Sequence, residues 1–336
     1  MADARRIVRE VAGVVGLAEG EAGVEAVLAV LARLEPVSIR RVSRATEIPV
    51  PLVASICGEL RKRAVVSHER PARLTDAGRA LYAGGELRIA QATCGTCRGR
   101  GLIVPDALAP AVRDVARLAT RVPSPRLELD QCHCTVETKL RRVLSMHEAG
   151  ALVRRRVLVL GDDDLTSLAI ARVVRGFGSK ASIRGLAVVD VDPDLLAFLR
   201  AELASAPFPT SVVRHDLRDA LPRTLEGGFD TVVTDPPYTL AGARLFLSRA
   251  AQALAVPHGD VFLSFGSRRP SASALLQRAI VDMGFVIRSL TRDFNEYVGA
   301  GVLGGTSHLY HLSATAETRP LVEGRYAGPL YTADAS

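Results

Sequence analysis

With 336 residues, 48% hydrophobic and 24% charged, the chain has the composition of a globular protein with room for two or three domains. No run of about 18 uninterrupted apolar residues occurs and residues 1–6 lack the apolar block of a signal peptide, so a soluble cytoplasmic protein with no membrane contact is expected. The net charge of +7 is uneven, with 23 Lys and Arg against 17 Asp and Glu in residues 1–150 but 20 against 19 in residues 151–336; this basic excess permits nucleic-acid contact without arguing for it.

Residues 1–20 carry weak helical periodicity broken by Gly13, Gly16 and Gly20. Glu21 to Leu34 is a clearer amphipathic helix, with Val24, Val27, Leu28 and Leu31 at core spacing. Helices over Ser38 to Thr46 and Pro51 to Arg63, a two-stranded wing over Val65 to Thr75 and a helix from Asp76 to Ala83 complete a winged helix-turn-helix domain, residues 1–88. The third of these helices has its basic cluster, Arg61-Lys62-Arg63, at the end away from where base contacts usually form. A packing or dimerisation role is therefore favoured over DNA binding, and a homodimer is expected.

Residues 89–150 form a cysteine-bearing connector. Cys94 and Cys97 have two residues between them, among glycines, which lets backbone N–H groups turn toward sulfur, and Cys132 and Cys134 follow after 34 intervening residues. Four paired cysteines in a cytosolic chain read as a structural Cys₄ zinc site, with iron as the runner-up and His133 as a substitute ligand. Cys57 reads as a small buried hydrophobe. Helices are expected over Ala107 to Arg121 and Val136 to Ala149.

From residue 151 to 320 strands and helices alternate, which predicts an α/β fold with a Rossmann-like doubly wound sheet, of the class I methyltransferase and spermidine-synthase kind; residues 321–336 form a tail. Strands are expected at Val157 to Leu160, Ile183 to Val189, Ser211 to Arg214, Thr231 to Thr234, Val261 to Phe265, Phe285 to Leu290 and His308 to Leu312. The first and fourth end abruptly in carboxylates, as Gly161-Asp162-Asp163-Asp164 and as Asp235-Pro236-Pro237-Tyr238. The two prolines stiffen the second turn, and a carboxylate beside an aromatic ring suits an amine. Asp190, ending the second strand, is placed for two ribose hydroxyls; Asp216, after the third, for an adenine amino group. Asp192 and Asp194 read as solvated or as capping the next helix.

A dinucleotide or ordinary S-adenosylmethionine site would have glycines after Gly161, offering N–H groups to an anion. Three carboxylates stand there instead, which repel an anionic tail and attract a cation. An adenosyl sulfonium whose tail ends in an amine, or a polyamine, satisfies that charge.

The chain resembles the branched-chain polyamine synthases, also called N4-bis(aminopropyl)spermidine synthases. The likeness lies in Gly161 to Ser167, in Asp235 to Thr239, in Phe294 to Tyr297 with Gly304 to Ser307, and in the layout of a winged helix before a Rossmann-like domain. The resemblance implies aminopropyl transfer from decarboxylated S-adenosylmethionine to the secondary amine of spermidine, made twice to give N4-aminopropylspermidine and then N4-bis(aminopropyl)spermidine. It also implies that a carboxylate of the Gly-Asp-Asp-Asp segment is essential. The chemistry of the residues agrees, because an attacking amine must lose its proton and a carboxylate can accept it.

Asp162 and Asp163 are expected to form the base and amine clamp, with Asp164 turning into a helix cap. Asp235, Pro236 and Tyr238 hold the reacting amine from the other side. Asp293 and Glu296, beside Asn295 and Tyr297, are expected to bind distal ammonium groups under a lid containing Gly299, Gly301, Gly304 and Gly305. Two alternatives stay open: an amino-methyltransferase of DNA or RNA, since Asp-Pro-Pro-Tyr also resembles the motif that holds an exocyclic amine, and a ligand-sensing transcriptional regulator. The near-neutral second half weighs against a nucleic-acid groove without dismissing it.

Overall fold

The structure, a computed structural model, describes residues 2–82, 94–97, 99–176, 183–266, 269–299 and 305–332. The chain divides into two units, Met1–Thr93 with Gly299–Thr306, and Cys94–Val298 with Ser307–Ser336. The expected boundary near residue 88 falls outside the described residues.

The first unit is built on helices α1 (Ala2–Val15), α2 (Gly20–Leu34), α3 (Ile39–Thr46), α4 (Val50–Lys62) and α5 (Asp76–Tyr82). Their apolar faces meet in one core containing Val11, Val24, Val27, Leu31, Val53 and Ile56. The N-terminal stretch, weakly periodic in sequence, is a full helix, because Gly13 is carried inside it and the turn comes only at Gly16, where φ is 63°. Ser38 caps α3 by accepting the Arg41 N–H at 3.3 Å. The segment expected as a wing holds one antiparallel bridge, Val66 to Leu74, while Val37 pairs with Ala72. Cys57 is fully buried, and burial pushes its thiol up to about 11.

The second unit is a seven-stranded sheet among the described residues, in the order β3-β2-β1-β4-β5-β7-β6. The strands are β1 (Arg156–Leu160), β2 (Gly185–Asp190), β3 (Thr210–Arg214), β4 (Thr231–Thr234), β5 (Asp260–Gly266), β6 (Val286–Glu296) and β7 (Thr306–Ser313). Strands β1 to β5 pair in parallel, and β7 is antiparallel to β5. β-Branched and aliphatic runs such as Val157-Leu-Val-Leu160 suit a sheet covered on both faces.

Alternation along each strand then feeds two cores. Val157 and Val159 join one with α6 (Ala109–Ala119), α7 (Val136–Glu148), α8 (Thr166–Gly176) and α9 (Pro193–Leu203). Leu158 and Leu160 join the other with α10 (Leu240–Ala253) and α11 (Pro270–Asp282). Strand order reverses between β1 and β4, so the crevice beyond their carboxyl ends is where such a fold binds ligands. Among the described residues no helix is long and apolar enough to cross a membrane.

The expected elements form with ends shifted by a few residues, apart from β6. That strand runs six residues past its expected end at Leu290, so Asp293 and Glu296 are strand residues. Gly301 and Gly304 lie outside the described residues. The tail is anchored over residues 322–324, whose carbonyls accept from the buried Arg249 guanidinium.

Candidate active site

At the end of β1 the backbone turns through Gly161, whose φ of 71° is the left-handed region that favours glycine. The three aspartates that follow point three ways. Asp162 is fully buried and accepts from the N–H and hydroxyl of Ser167, so it caps the start of α8. The expected cap, Asp164, instead receives Arg142 Nη1 at 2.7 Å and the Cys134 N–H at 2.5 Å. Asp163 alone of the three is only half-buried, and its Oδ2 receives the Cys132 N–H at 2.9 Å.

The turn after β4 faces this segment. Pro236 and Pro237 are buried, and Thr239 caps α10 by accepting the Gly242 N–H at 2.9 Å. Gly242 is required there, since an added Cβ would meet the Pro237 carbonyl oxygen at 2.4 Å. Asp235 Oδ2 accepts from Arg142 Nη2 at 2.7 Å and from the Tyr297 hydroxyl at 2.5 Å. Tyr297 in turn shares hydrogen bonds with the Tyr238 hydroxyl (2.7 Å) and with Ser307 Oγ (2.9 Å). Buried Asn295 closes the ring, donating to Ser307 Oγ at 2.9 Å and accepting from Arg142 Nε at 2.8 Å. Beside Tyr238 opens an apolar cavity of about 360 Å³ lined by Leu240, Phe265, Ala272 and Leu276.

Crowded carboxylates in a buried crevice cannot all ionise at ordinary values. Burial, then Asp164 and Asp235, raise Asp163 well above its usual range. Burial pushes Asp235 up to about 7 against the pull of Arg142. Burial also acts on Asp164, but Arg142 and Lys139 outweigh it and hold that carboxyl below its usual range. Burial and the Asp235 charge raise both Tyr238 and Tyr297, which stay neutral donors. The result is a pocket of excess negative charge that a cationic amine would relieve.

At the end of β2, Asp190 receives the N–H groups of Asp162 (3.1 Å) and Asp192 (2.9 Å), and Asp192 caps α9. Asp216 accepts from the Arg218 side chain through both of its oxygens, at 2.7 to 3.1 Å.

The domain model of the branched-chain polyamine synthase A C-terminal domain matches residues 111–319. This chain belongs to that family. It is 34% identical over 310 residues to an uncharacterised protein of Methanocaldococcus jannaschii, covering 91% of this chain and 77% of the relative. It is 32% identical over 274 residues to the N(4)-bis(aminopropyl)spermidine synthase of Thermococcus kodakarensis, covering 79% of this chain and 75% of that enzyme. The branched-chain polyamine synthase C9 mutein of Thermus thermophilus, solved with N4-aminopropylspermidine and 5'-methylthioadenosine, superposes with a TM-score of 0.78 at 25% identity, over 100% of this chain and 98% of that one.

Within this polyamine synthase the metal expectation fails. Among the described residues no three His, Cys, Asp or Glu side chains gather to hold an ion. The N–H groups of Thr96 and Cys97 do turn toward the Cys94 sulfur, but the second pair serves elsewhere. Cys134 is bridged to Tyr297 as a short antiparallel ladder, which aims the Cys132 and Cys134 amides at Asp163 and Asp164. Burial and the nearby carboxylates push the Cys132 thiol up to about 11 and raise Cys134 too, the reverse of what a thiolate ligand needs.

Two residues expected to bind distal ammonium groups meet Arg100. Glu296 already pairs with the buried Arg100 at 2.6 Å, and the Asp293 carbonyl accepts from the same guanidinium at 2.7 Å. Sequence reading missed Arg142, Lys139 and Arg100. Cations at three of four positions from Lys139 to Arg142 break the polar and apolar rhythm of α7, and that was the available signal.

Proposed function

We propose that this polyamine synthase transfers aminopropyl groups from decarboxylated S-adenosylmethionine to the secondary amine of spermidine, giving N4-aminopropylspermidine and then N4-bis(aminopropyl)spermidine. The observation that carries the reading is the half-open Asp163 facing Asp235 across the crevice, carboxylates where an anion-binding site would offer glycine amides. The kinship with enzymes of that name, and with a structure holding the aminopropyl product and 5'-methylthioadenosine, supports it.

In the reaction the amine nitrogen forms a bond to the propyl carbon beside sulfur while the carbon–sulfur bond breaks. The electron pair goes to sulfur, which leaves as a neutral thioether and needs no acid. The amine proton passes to Asp163, and Asp235 with Tyr238 faces the reacting nitrogen. In the second transfer the tertiary amine has no proton to lose once neutral, so the carboxylates act by stabilising a quaternary ammonium. Asp190 is assigned to the ribose hydroxyls, and the apolar cavity beside Tyr238 suits the methylene segments of the amine.

Residues 1–88 are assigned a winged helix-turn-helix, supported by α2 to α4 and the Val66–Leu74 bridge, and the working assembly is a homodimer. The test is mass spectrometry of spermidine incubated with decarboxylated S-adenosylmethionine, beside a tube holding the ordinary form. One or two added aminopropyl groups with the decarboxylated donor alone are expected. Methyl addition in the second tube, or reaction in neither, overturns the reading.

A further inference from the structure

One buried guanidinium ties the carboxylates of this site together. Arg142, on α7 and only 2% exposed, spends its nitrogens on three separate segments: Nε on Asn295 of β6, Nη1 on Asp164 beyond β1, and Nη2 on Asp235 beyond β4, with the Tyr297 hydroxyl 3.2 Å from Nη2. We infer that Arg142 is the positioning residue of the transfer: it holds Asp164 and Asp235 side by side on one guanidinium and leaves Asp163 as the carboxylate open to take the amine proton. The inference rests on the aminopropyl-transfer reading for its chemistry and on this geometry for the rest.

The charges around the pocket explain why one cation has this effect. Asp163, Asp164, Asp235 and Asp190 supply the negative charge; the thiols of Cys132 and Cys134, the hydroxyls of Tyr238 and Tyr297 and the His133 ring stand around them. A second cation, Lys139, is turned to the carbonyl oxygen of Cys134 at 2.8 Å and its sulfur at 3.5 Å. Without Arg142, Asp164 would lose the charge that holds it below its usual range, Asp235 would lose the pull that opposes its burial, and both would titrate higher. A neutral carboxyl attracts an ammonium weakly and shifts with its proton. The planar fork meets both carboxylates and Asn295 at once, which a single ammonium cannot do.

The experiment compares Arg142→Met and Arg142→Lys with the parent protein by two readouts. The first is a carbon-13 NMR titration of labelled aspartate carboxyls in the absence of substrate. In Arg142→Met the Asp164 and Asp235 titrations are expected to move up by about a unit or more, and in Arg142→Lys, which keeps the charge and loses the fork, one of the two moves. The second is the pH profile of kcat with spermidine. It should fall roughly 100-fold, as when a group that places reacting atoms is lost, with its acid limb moved to higher pH. Titrations that stay where they are in both variants overturn the inference, as does a loss of kcat with an unmoved acid limb. Should Arg142→Met not fold, the Arg142→Lys titration decides. A parent protein that transfers no aminopropyl group sinks the functional reading alone, and the titrations still judge Arg142.

Discussion

The amide of Cys132 donates to Asp163 Oδ2 across 2.9 Å, so this cysteine serves the carboxylate through its backbone and not through its sulfur. Cys132→Ser keeps that amide. Turnover is expected to stay within about threefold of the parent, the usual range for a substitution that removes no named interaction. Dialysis against a chelator should leave both turnover and the melting temperature unchanged. Loss of stoichiometric zinc together with activity, measured by elemental analysis and rate, would restore the Cys₄ reading.

Asp162 and Asp163 are neighbours with opposite expected phenotypes. Asp163→Asn should lower kcat by about 10²- to 10⁴-fold, the size of a lost general base. Asp162 is fully buried with its value pushed up to about 7 by burial. The folded state therefore holds a proton that the unfolded chain releases near pH 4, and stability falls as pH rises from roughly 4 to 7. Asp162→Asn removes the share of that fall that Asp162 contributes. Its melting temperature at pH 8 should exceed the parent's by roughly 2–4 °C for each kcal/mol recovered. Equal melting curves at pH 5 and pH 8 in the parent would show that Asp162 is not the proton-holding group.

The sheet, its order of alternation and both carboxylate-bearing strand ends were legible in the sequence because short continuous β-branched and aliphatic runs and prolines act locally. The exchange of roles between Asp162 and Asp164 was not legible. It is set by Arg142 and the Cys134 amide, which lie in sequence 22 and 30 residues from Asp164. The cysteine spacing misled for a related reason: the extended backbone of residues 133–135 pairs with Glu296 to Val298, which no local pattern announces. Long-range pairing decides such cases, and spacing cannot supply it.

Gly242→Ala tests whether the rigid turn matters to the site. The new Cβ would lie 2.4 Å from the Pro237 carbonyl oxygen, a backbone atom that cannot swing aside. Relief requires moving the turn that carries Asp235 and Tyr238. A destabilisation of about 1–3 kcal/mol, as in other overpacked sites, should accompany a drop in kcat that exceeds any change in KM. Parent-like melting and rate would mean that the turn has slack.

Tyr297→Phe removes the hydroxyl that donates to Asp235 Oδ2 at 2.5 Å and leaves the ring in place. That donor favours the ionised carboxylate, working against the burial that raises Asp235 to about 7. Since the site needs its carboxylates ionised to hold a cationic amine, activity is present above that value and lost as pH falls through it. Losing the donor raises the value further. A hydrogen bond to a charged group is worth about 1.5–3 kcal/mol, so the acid limb of the kcat profile should move up by about one unit or more, and kcat at pH 7 should fall roughly tenfold. Tyr238→Phe, one step further along the same chain at 2.7 Å from the Tyr297 hydroxyl, should move the limb less. An acid limb that shifts equally in both variants would place the controlling hydrogen bond on Tyr238 instead.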